Sequence, residues 1–283
     1  MKGYEPGELE TASCPLCSSE RRRPTSFGTD GLGVVRCGDC GVLFLSPRLK
    51  EERILEYYRD GSYFEGTDCG YTSYLEQEKT LRLTFRRLLK NLARKGLTGG
   101  SVLEVGCGLG FFLDEARPFF SQRVGTDLSA DVAGKASELA DQVWVGGVEA
   151  LPEEERFDLV VALHVIEHVY DPVPFVRQLA SRVKVGGHLL LATPDAGSLW
   201  LRILGKRWPS FKFPEHVTFY NQRILTDLFL KAGIRDLAPI RYLHAFPISE
   251  VLRKFGLSAG GPVGRWSAWI PATTVASVGR VGG

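Results

Sequence analysis

From Ser101 onward, short β-branched runs alternate with segments of helical periodicity, and this alternation constrains the fold more than any other feature. Strands separated by helices pair in parallel through right-handed crossovers, so the pattern predicts an α/β sheet covered by helices on both faces. The predicted strands are 101–105, 123–127, 142–145, 157–163 and 188–193. Ligands of such sheets bind at the carboxyl ends of the strands, so functional residues are expected there.

Two CxxC pairs lie within residues 1–47. Cys14 and Cys17 form the first pair, and Cys37 and Cys40 form the second after 19 intervening residues. This spacing is typical of a four-thiolate zinc site, because each CxxC turn can direct two sulfur atoms at one tetrahedral ion. Four protein ligands leave no open position, so the pattern predicts a structural zinc in a zinc-ribbon-like module. Two redox pairs and a rubredoxin-type iron centre are the alternatives.

The composition is that of a globular protein with a sizeable core. Of 283 residues, 44% are hydrophobic and 24% are charged, and the formal net charge is +2. This balance excludes a polybasic nucleic-acid coat protein and an acidic disordered tail. No apolar run reaches the roughly 20 residues of a membrane-spanning helix, and the opening MKGYEPGELE lacks the apolar stretch of a secretory signal. We therefore expect a soluble cytoplasmic protein without a membrane partner, in which paired cysteines favour metal binding over disulfides.

A glycine-rich loop, EVGCGLG, follows the first predicted strand. Its glycines permit a tight turn and the close approach of a ligand to the backbone. Asp127 ends the next predicted strand, where its carboxylate can accept hydrogen bonds from two ribose hydroxyls. A dinucleotide-binding fingerprint requires its third glycine at position 111, which is Phe111 here. The motif therefore favours a nucleotide-containing ligand of another class.

In these motifs the chain resembles the class I S-adenosylmethionine-dependent methyltransferases, and in particular the ubiquinone-biosynthesis O-methyltransferases. The matching segments are EVGCGLG (104–110), GTDLS (125–129), FDLVVALHVIEHVYDP (157–172), VKVGGHLLLATPD (183–195) and FPEHVTFYNQRILTDLFLKAGI (213–234). The resemblance implies an α/β fold with a doubly wound, seven-stranded Rossmann-like sheet and one antiparallel edge strand. We expect residues 273–281 to form that strand, because TTVASVGRV is rich in β-forming residues.

The resemblance also implies which residues bind S-adenosylmethionine. Glu104 is expected near the amino group of the cofactor, Asp127 at its ribose and Leu128 beside its adenine. Many relatives carry an acidic residue near the end of the third strand, where this chain offers Val148 and Glu149. The full set of predicted cofactor-binding residues is Tyr71, Tyr74, Glu104, Gly106, Cys107, Gly108, Gly110, Asp127, Leu128, Val148, Glu149 and His164. For the two tyrosines, ordinary helix packing is the alternative.

His168 and His216 are the predicted catalytic residues. His168 lies in HVIEH, which resembles the stretch beside the transferred methyl group in the family, and an imidazole with the usual pKa of about 6.5 suits removal of a hydroxyl proton. An inverted zinc-protease motif has the same form but belongs in a long helix, whereas this segment directly follows a strand. His216 follows the fifth predicted strand and is the second candidate base. The alternatives are a structural role for Glu167 and His168, and a divalent ion held by these two residues with His164.

The predicted organisation has three regions. Residues 1–47 form the zinc module, residues 48–98 a helical linker or lid, and residues 99–283 the methyltransferase domain. An aromatic insertion at about 197–220, with Trp200, Trp208, Phe211 and Phe213, is predicted to be a lid over the acceptor. Packing of these aromatic side chains on the edge of the sheet is the alternative.

The predicted function is methyl transfer from S-adenosylmethionine to a hydroxyl or carboxylate of a small molecule, such as a specialised metabolite, a sugar or a quinone-like acceptor. Lys206, Arg207 and Lys212 are candidates for binding an anionic acceptor. An RNA-modifying methyltransferase is one alternative, because the zinc module carries three consecutive arginines and the predicted helix at 79–95 is basic. A non-catalytic partner protein that keeps the cofactor fold is the other.

Overall fold

The structure is a computed structural model that describes residues 4–29, 31–59, 77–248 and 266–282. None of the helices in these ranges combines the length and the apolar composition that crossing a membrane requires. The predicted cofactor contacts Tyr71 and Tyr74 lie outside the described residues.

The first part of the chain forms small antiparallel sheets and then two helices. Its elements are β1 (Leu9–Glu10), β2 (Arg22–Thr29), β3 (Leu32–Cys37), β4 (Leu43–Leu45), β5 (Arg48–Leu49), α1 (Glu51–Arg59) and α2 (Glu78–Arg94). β2, β3 and β4 pair in sequence order, and β1 pairs with β5. We call β1 to β5 with their turns the cysteine module. The helix expected at 79–95 is α2, whose apolar face is buried because its leucines recur at helical spacing.

Strands and helices alternate through the second part. The elements are β6 (Ser101–Val105), α3 (Phe111–Glu115), β7 (Gln122–Asp127), α4 (Ala130–Ala136), β8 (Gln142–Val145), β9 (Phe157–Leu163), α5 (Pro172–Ser181), β10 (Val183–Pro194), α6 (Leu199–Leu204), β11 (Thr218–Phe219), α7 (Gln222–Lys231), β12 (Arg235–Pro239), β13 (His244–Pro247), β14 (Ser267–Ile270) and β15 (Thr274–Arg280). The five strands predicted from the sequence are β6 to β10. Only β10 departs by more than one residue, since it begins at Val183 rather than at His188.

The main sheet has seven strands in the order β12-β15-β10-β9-β6-β7-β8. The strands from β6 to β10 pair in parallel, and β15 runs antiparallel to both of its neighbours. The predicted seven-stranded α/β fold is therefore confirmed. The predicted edge position of the antiparallel strand was wrong: β15 lies inside the sheet, because β12 pairs with its outer side. β12 is short, largely exposed and ends in a proline, so its sequence carries little strand signal.

The chain reverses direction across the sheet between β6 and β9. From β6 it adds β7 and β8 on one side, and it then returns to add β9 and β10 on the other. A crevice opens at the carboxyl ends of the strands where such a reversal occurs, and ligands of α/β sheets bind there. This arrangement brings the loop after β6 next to the segment after β9.

The cysteine module is joined to the second part through β11. That strand pairs with β4, which makes a four-stranded sheet in the order β11-β4-β3-β2. The Leu45 amide donates to the Val217 carbonyl at 2.9 Å, and Phe44 belongs to the same buried apolar cluster as Tyr220. Phe211 packs against Phe27 of β2 with 4.9 Å between ring centroids. The aromatic segment thus packs on the sheet of the cysteine module.

Candidate functional site

The four cysteines of the CxxC pairs converge, and all are free thiols. The Sγ atoms of Cys14 and Cys40 are 3.5 Å apart, as are those of Cys17 and Cys37, and all four lie within 4.8 Å of one another. A tetrahedral zinc with bonds of 2.3 Å to sulfur requires sulfur–sulfur separations of about 3.8 Å. The cluster therefore fits a four-thiolate zinc ion.

Backbone amides support one of these thiolates. The amides of Asp39 and Cys40 donate to Cys37 Sγ at 3.4 and 3.5 Å. Although burial opposes ionisation, these donors lower the pKa of Cys37 to about 6. Burial raises the pKa of Cys14, so this thiol needs a cation beside it to ionise. The chemistry of the cluster is thus that of a metal-binding site.

The glycine loop after β6 has the conformation that a close ligand approach requires. Gly106 and Gly110 have φ of 71° and 78°, in the left-handed region that favours glycine. A Cβ atom on Gly106 would lie 2.6 Å from Val165 Cγ2, so a side chain there would collide with the segment after β9. Cys107 is buried beneath the loop. The backbone of the loop therefore lies directly against the crevice.

Two carboxylates lie beneath this loop. Asp127 accepts from the Gly108 amide at 2.9 Å and from the Ser129 amide at 3.0 Å, and burial raises its pKa despite these donors. Glu104 is 3% exposed, and burial together with nearby Asp127 raises its pKa well above the usual value. Glu104 Oε2 has no hydrogen-bond partner within the described part of the chain. A buried carboxylate oxygen without a donor fits a cationic amino group, such as that of S-adenosylmethionine.

The predicted adenine contacts lie around the ends of β7 and β8. Leu128 is 41% exposed directly after Asp127, which leaves its side chain available to a flat ring. Val148 is buried, whereas Glu149 is exposed and accepts from the Gly147 amide at 2.8 Å. The Glu149 carboxylate is therefore engaged in its own turn.

The segment after β9 begins with a strained residue. His164 has φ of 58°, which costs a non-glycine residue conformational energy, and its amide donates to the Ala192 carbonyl at 2.8 Å. Its Nδ1 lies 3.4 Å from Oε1 of Glu167, which is 2% exposed. Burial alone would raise the pKa of Glu167, but the neighbouring histidines, with His164 first, lower it to about 2. Glu167 is therefore an ionised carboxylate in the interior.

His168 and His216, the predicted catalytic pair, lie next to each other. Their ring centroids are 4.7 Å apart at 89°, and ring nitrogens of both approach a Glu167 oxygen within 4.8 Å. His216 Nδ1 is 2.8 Å from the Ser210 carbonyl, which can only accept, so Nδ1 carries the proton. Burial lowers the pKa of His168 to about 4 and that of His216 well below its usual value. Both rings are therefore neutral near pH 7.

The sequence interpretation missed two residues beside His164. The rings of Tyr242 and His244 lie 5.7 and 5.9 Å from the His164 ring. Burial, together with the nearby His164 and Lys212, lowers the pKa of His244 to about 3. A histidine inside the apolar run RYLHAFP was the available signal, since polar residues in such runs often serve a site.

Of the three cations predicted to bind an anionic acceptor, only Lys212 is close to these histidines. It is half-buried and contributes to the low pKa values of His168, His216 and His244. Lys206 and Arg207 are exposed.

Comparison with known proteins identifies the family. Residues 74–238 match a family described as a methyltransferase domain. The ubiquinone biosynthesis O-methyltransferase of Bradyrhizobium diazoefficiens is 28% identical over 166 residues, which are 50% of this chain and 66% of that protein. The enzyme of the same name from Rhodopseudomonas palustris strain BisB5 is 33% identical over 133 residues, 45% of this chain and 48% of that protein. The chain thus spans between about half and two thirds of these relatives.

Solved structures share the fold. A methyltransferase of Thermotoga maritima, described as a possible histamine N-methyltransferase, has a TM-score of 0.55 and 22% identity, covering 81% of this chain and 98% of its own. Magnesium protoporphyrin IX methyltransferase of Synechocystis PCC 6803 with bound SAH has a TM-score of 0.52 and 15% identity, covering 82% and 99%. Since the family match spans more than half of the chain and these structures share its fold, the protein belongs to the class I S-adenosylmethionine-dependent methyltransferases.

Proposed function

We propose that this enzyme transfers the methyl group of S-adenosylmethionine to an oxygen atom of a small molecule. The observation that carries the proposal is the cluster of His164, His168 and His216 around the buried Glu167 carboxylate, beside the glycine loop. A hydroxyl acceptor needs a base to remove its proton, whereas a carboxylate or a neutral amine already offers a lone pair. The name O-methyltransferase of the curated relatives agrees with this reaction.

The glycine loop and its carboxylates form the proposed cofactor site. Glu104 holds the amino group of the cofactor, Asp127 the ribose and Leu128 one face of the adenine. Gly106, Cys107, Gly108 and Gly110 line the methionine and ribose part with backbone atoms, and Val148, Glu149 and His164 complete the surroundings. Bound S-adenosylmethionine supplies a methyl group already activated by a sulfonium. The protein then needs to align the acceptor oxygen, exclude water and receive one proton.

His168 and His216 remain the sequence-based candidates for the base. Each ring has a hydrogen bond to a backbone carbonyl, His168 to Glu215 and His216 to Ser210. The first bond joins the segment after β9 to the segment 210–216, and the second closes the segment 210–216 on itself. We propose that the two rings act mainly as positioning residues there, because each already has a backbone partner; His216 is buried and His168 is half-buried.

We also propose that the cysteine cluster holds a structural zinc. Cys14, Cys17, Cys37 and Cys40 supply four thiolates, which leave no position for a substrate. The module is too small to rely on its own apolar core, so the ion and the contact with β11 both contribute to its folding.

The proposed function is tested with zinc-loaded protein, methyl-labelled S-adenosylmethionine and fractionated cell extract. Label in the small-molecule pool, in a product whose new methyl group is bonded to oxygen by mass spectrometry and NMR, is the expected result. Label in RNA or protein would overturn the small-molecule assignment. Failure to bind S-adenosylmethionine would favour the alternative of a non-catalytic partner.

The RNA-modifying alternative finds less support in the charges of α2. Arg82 forms ion pairs with Glu78, Asp114 and Glu115, and Arg86 also pairs with Glu115. Arg87 lies over the Trp269 ring at 4.8 Å. These three arginines already have partners within the protein, so they are less available to bind phosphate groups of RNA. A salt series against bulk tRNA is the direct check, since phosphate binding weakens steeply with salt.

A further inference from the structure

One arginine side chain gathers the backbone carbonyls of the segment that follows β8. We call residues 146–153 the β8 loop. The hydrogen bonds that the Arg182 guanidinium donates to described residues number four, with lengths from 2.5 to 3.4 Å. All of them go to carbonyls of the β8 loop, those of Val148, Leu151, Pro152 and Glu153.

The number of carbonyls around this one side chain indicates what it does. Carbonyl oxygens carry partial negative charge and repel one another, so a loop directs several of them at one point only around a positive group. A guanidinium is always charged and offers five N–H donors in a rigid fork, which suits several acceptors at once. An arginine at the end of a helix commonly donates to carbonyls of its own helix. Arg182 follows the last residue of α5 and reaches across to another segment instead.

The backbone of Arg182 is itself held firmly. The Phe157 amide at the start of β9 donates to the Arg182 carbonyl at 2.9 Å, and the Arg182 amide donates to the Leu179 carbonyl of α5 at 3.1 Å. The side chain is half-buried. The guanidinium therefore extends from the frame made by α5 and β9, and the β8 loop is placed against that frame.

The β8 loop lies at the carboxyl ends of the strands, beside the proposed cofactor site. The Gly146 amide donates to the carbonyl of Asp127, the residue proposed to bind the ribose, at 2.8 Å. The loop also carries Val148 and Glu149, which are proposed to lie near the adenine. A shift of this loop would therefore change the adenosine part of the cofactor site.

The hydrogen bonds within the β8 loop are long. Val148–Ala150 form a single turn of 3-10 helix, in which the Ala150 amide donates to the Gly147 carbonyl at 3.2 Å and the Leu151 amide to the Val148 carbonyl at 3.4 Å. Such a turn has poorer hydrogen-bond geometry than an α-helix. The four bonds from Arg182 are thus a large part of what orders the loop.

We propose that Arg182 is a positioning residue for cofactor binding, which holds the β8 loop in the conformation that receives the adenosine part of S-adenosylmethionine. The proposal rests on the cofactor site proposed above. Arg182 acts through the loop, by raising the fraction of ligand-free molecules in which the loop is already competent to bind. The observed Kd is the intrinsic Kd divided by that fraction. Without the guanidinium, the cofactor itself must order the loop, and the affinity falls accordingly.

The first test measures binding of SAH to the zinc-loaded full chain by calorimetry, which needs no acceptor. Arg182→Ala should raise the Kd by about 10- to 100-fold, the result of a competent fraction of about 1–10%. Arg182→Lys should fall between this variant and the wild type, because an ammonium reaches fewer carbonyls. Arg177→Ala is the matched control: Arg177 lies on the same helix and donates to the Lys231 carbonyl of α7, so the Kd should not change.

The second test separates positioning of the loop from a general loss of structure. Millimolar guanidinium chloride, far below denaturing concentrations, should partly restore SAH binding to Arg182→Ala, whereas equal sodium chloride should not. In the ligand-free variant, hydrogen exchange should be faster at the Ala150 and Leu151 amides and unchanged at Val160 in the middle of β9. Addition of SAH should restore protection of the two loop amides.

Two results would overturn the proposal. An unchanged Kd in Arg182→Ala would show that the loop needs no support from this side chain. A raised Kd with faster exchange at Val160 and no rescue by guanidinium would assign Arg182 a general structural role. A wild-type protein that does not bind SAH would instead refute the proposed cofactor site, while exchange at Ala150 and Leu151 would still report whether Arg182 holds the loop.

Discussion

At the scale of single residues, the site is made of side chains whose burial is unfavourable without a ligand. Glu104 is almost completely enclosed, and its Oε2 atom has no hydrogen-bond partner among the described residues. Glu167 is equally enclosed, and neither of its oxygens has a hydrogen-bond partner within the described part of the chain, but His164 Nδ1 lies 3.4 Å from Oε1 and the neighbouring histidines lower the pKa of the carboxyl. The difference is one of surroundings: burial and Asp127 raise the pKa of Glu104, whereas Glu167 has imidazoles beside it that can carry positive charge.

Replacing Glu104 should therefore affect binding and stability in opposite directions. We expect Glu104→Gln to weaken S-adenosylmethionine binding by about 10- to 100-fold, since a hydrogen bond to a charged group contributes about 1.5–3 kcal/mol. The unfolding free energy of the ligand-free protein should stay equal or rise, because a desolvated carboxylate is removed. Calorimetric binding and urea unfolding measure the two effects, with the exposed Glu149→Gln as the control. A variant that loses stability together with affinity would contradict this role for Glu104.

Acid should destabilise the fold through His168. Its pKa is lowered from 6.5 to about 4, so the folded state binds fewer protons than the unfolded state between these values, and stability falls as pH falls through this window. Between pH 7.5 and pH 5 the expected loss from this group is about 1–2 kcal/mol. Urea unfolding at both pH values should give a smaller difference for His168→Gln than for the wild type. An unchanged difference would mean that His168 is not held neutral.

At the scale of elements, helices and strands are held in place by contacts that cannot be predicted from their own sequences. α2 is joined to α3 by Arg82, which donates to Asp114 at 2.6 Å and to Glu115 at 3.1 Å and lies over the Phe111 ring at 4.8 Å. Only 19% of the Arg82 side chain is exposed. The basic residues of α2 looked like a surface for an anion, and this one connects two helices instead.

Removing that connection should destabilise the protein more than removing an exposed charge of the same helix. We expect Arg82→Ala to lower the unfolding free energy by about 1–3 kcal/mol, because it leaves partly buried carboxylates without their cation. Arg94→Ala is the matched control and should change it by less than about 0.5 kcal/mol. Arg82→Lys should fall between them, since an ammonium cannot form the same forked contacts. Equal effects of the two alanine variants in urea unfolding would argue against the network.

At the scale of the whole molecule, the cysteine module and the segment after β9 are connected by a short hydrogen-bonded path. Leu45 of β4 donates to the Val217 carbonyl, and the Val217 amide donates to the Glu167 carbonyl at 2.9 Å. Arg223 Nη2 donates to the Cys40 carbonyl at 2.7 Å, and the Tyr170 hydroxyl donates to the Leu49 carbonyl at 2.6 Å. A disturbance of the cysteine cluster therefore reaches Glu167 before it reaches the glycine loop.

Removal of zinc by a chelator should uncouple catalysis from cofactor binding. The Val217 amide donates to the Glu167 carbonyl, and it should exchange its hydrogen faster because the adjoining strand β11 loses its pairing with β4, while the Gly108 amide stays protected by Asp127. Methyl transfer should fall, and the affinity for S-adenosylmethionine should change little. Hydrogen exchange read by mass spectrometry or NMR checks the first part without an activity assay. Equal protection of Val217 with and without zinc would contradict the coupling.

The local patterns predicted much of this molecule. The bounds of β6 to β9, the helix α2 and the convergence of the four cysteines follow from periodicity, turn chemistry and spacing, which are properties of neighbouring residues. The interior position of β15 could not be predicted in this way, since it depends on β12, whose few residues have little preference for a strand. The sequence analysis missed Tyr242 and His244 for a related reason: no neighbouring residue in the sequence indicates that they contact His164.

By itself, the sequence determined the alternation of strands and helices, the glycine loop and the two CxxC turns, because each depends on contacts within a few residues. Only the tertiary structure decided that β11 completes the sheet of the cysteine module, and that His216 lies against His168 and Glu167. Those contacts join residues about 50 to 180 positions apart, and the free energy that selects them comes from burying apolar surface over the whole chain. Periodicity holds no information about such distant partners, so the strands and helices could be predicted from local sequence and the arrangement around Glu167 could not.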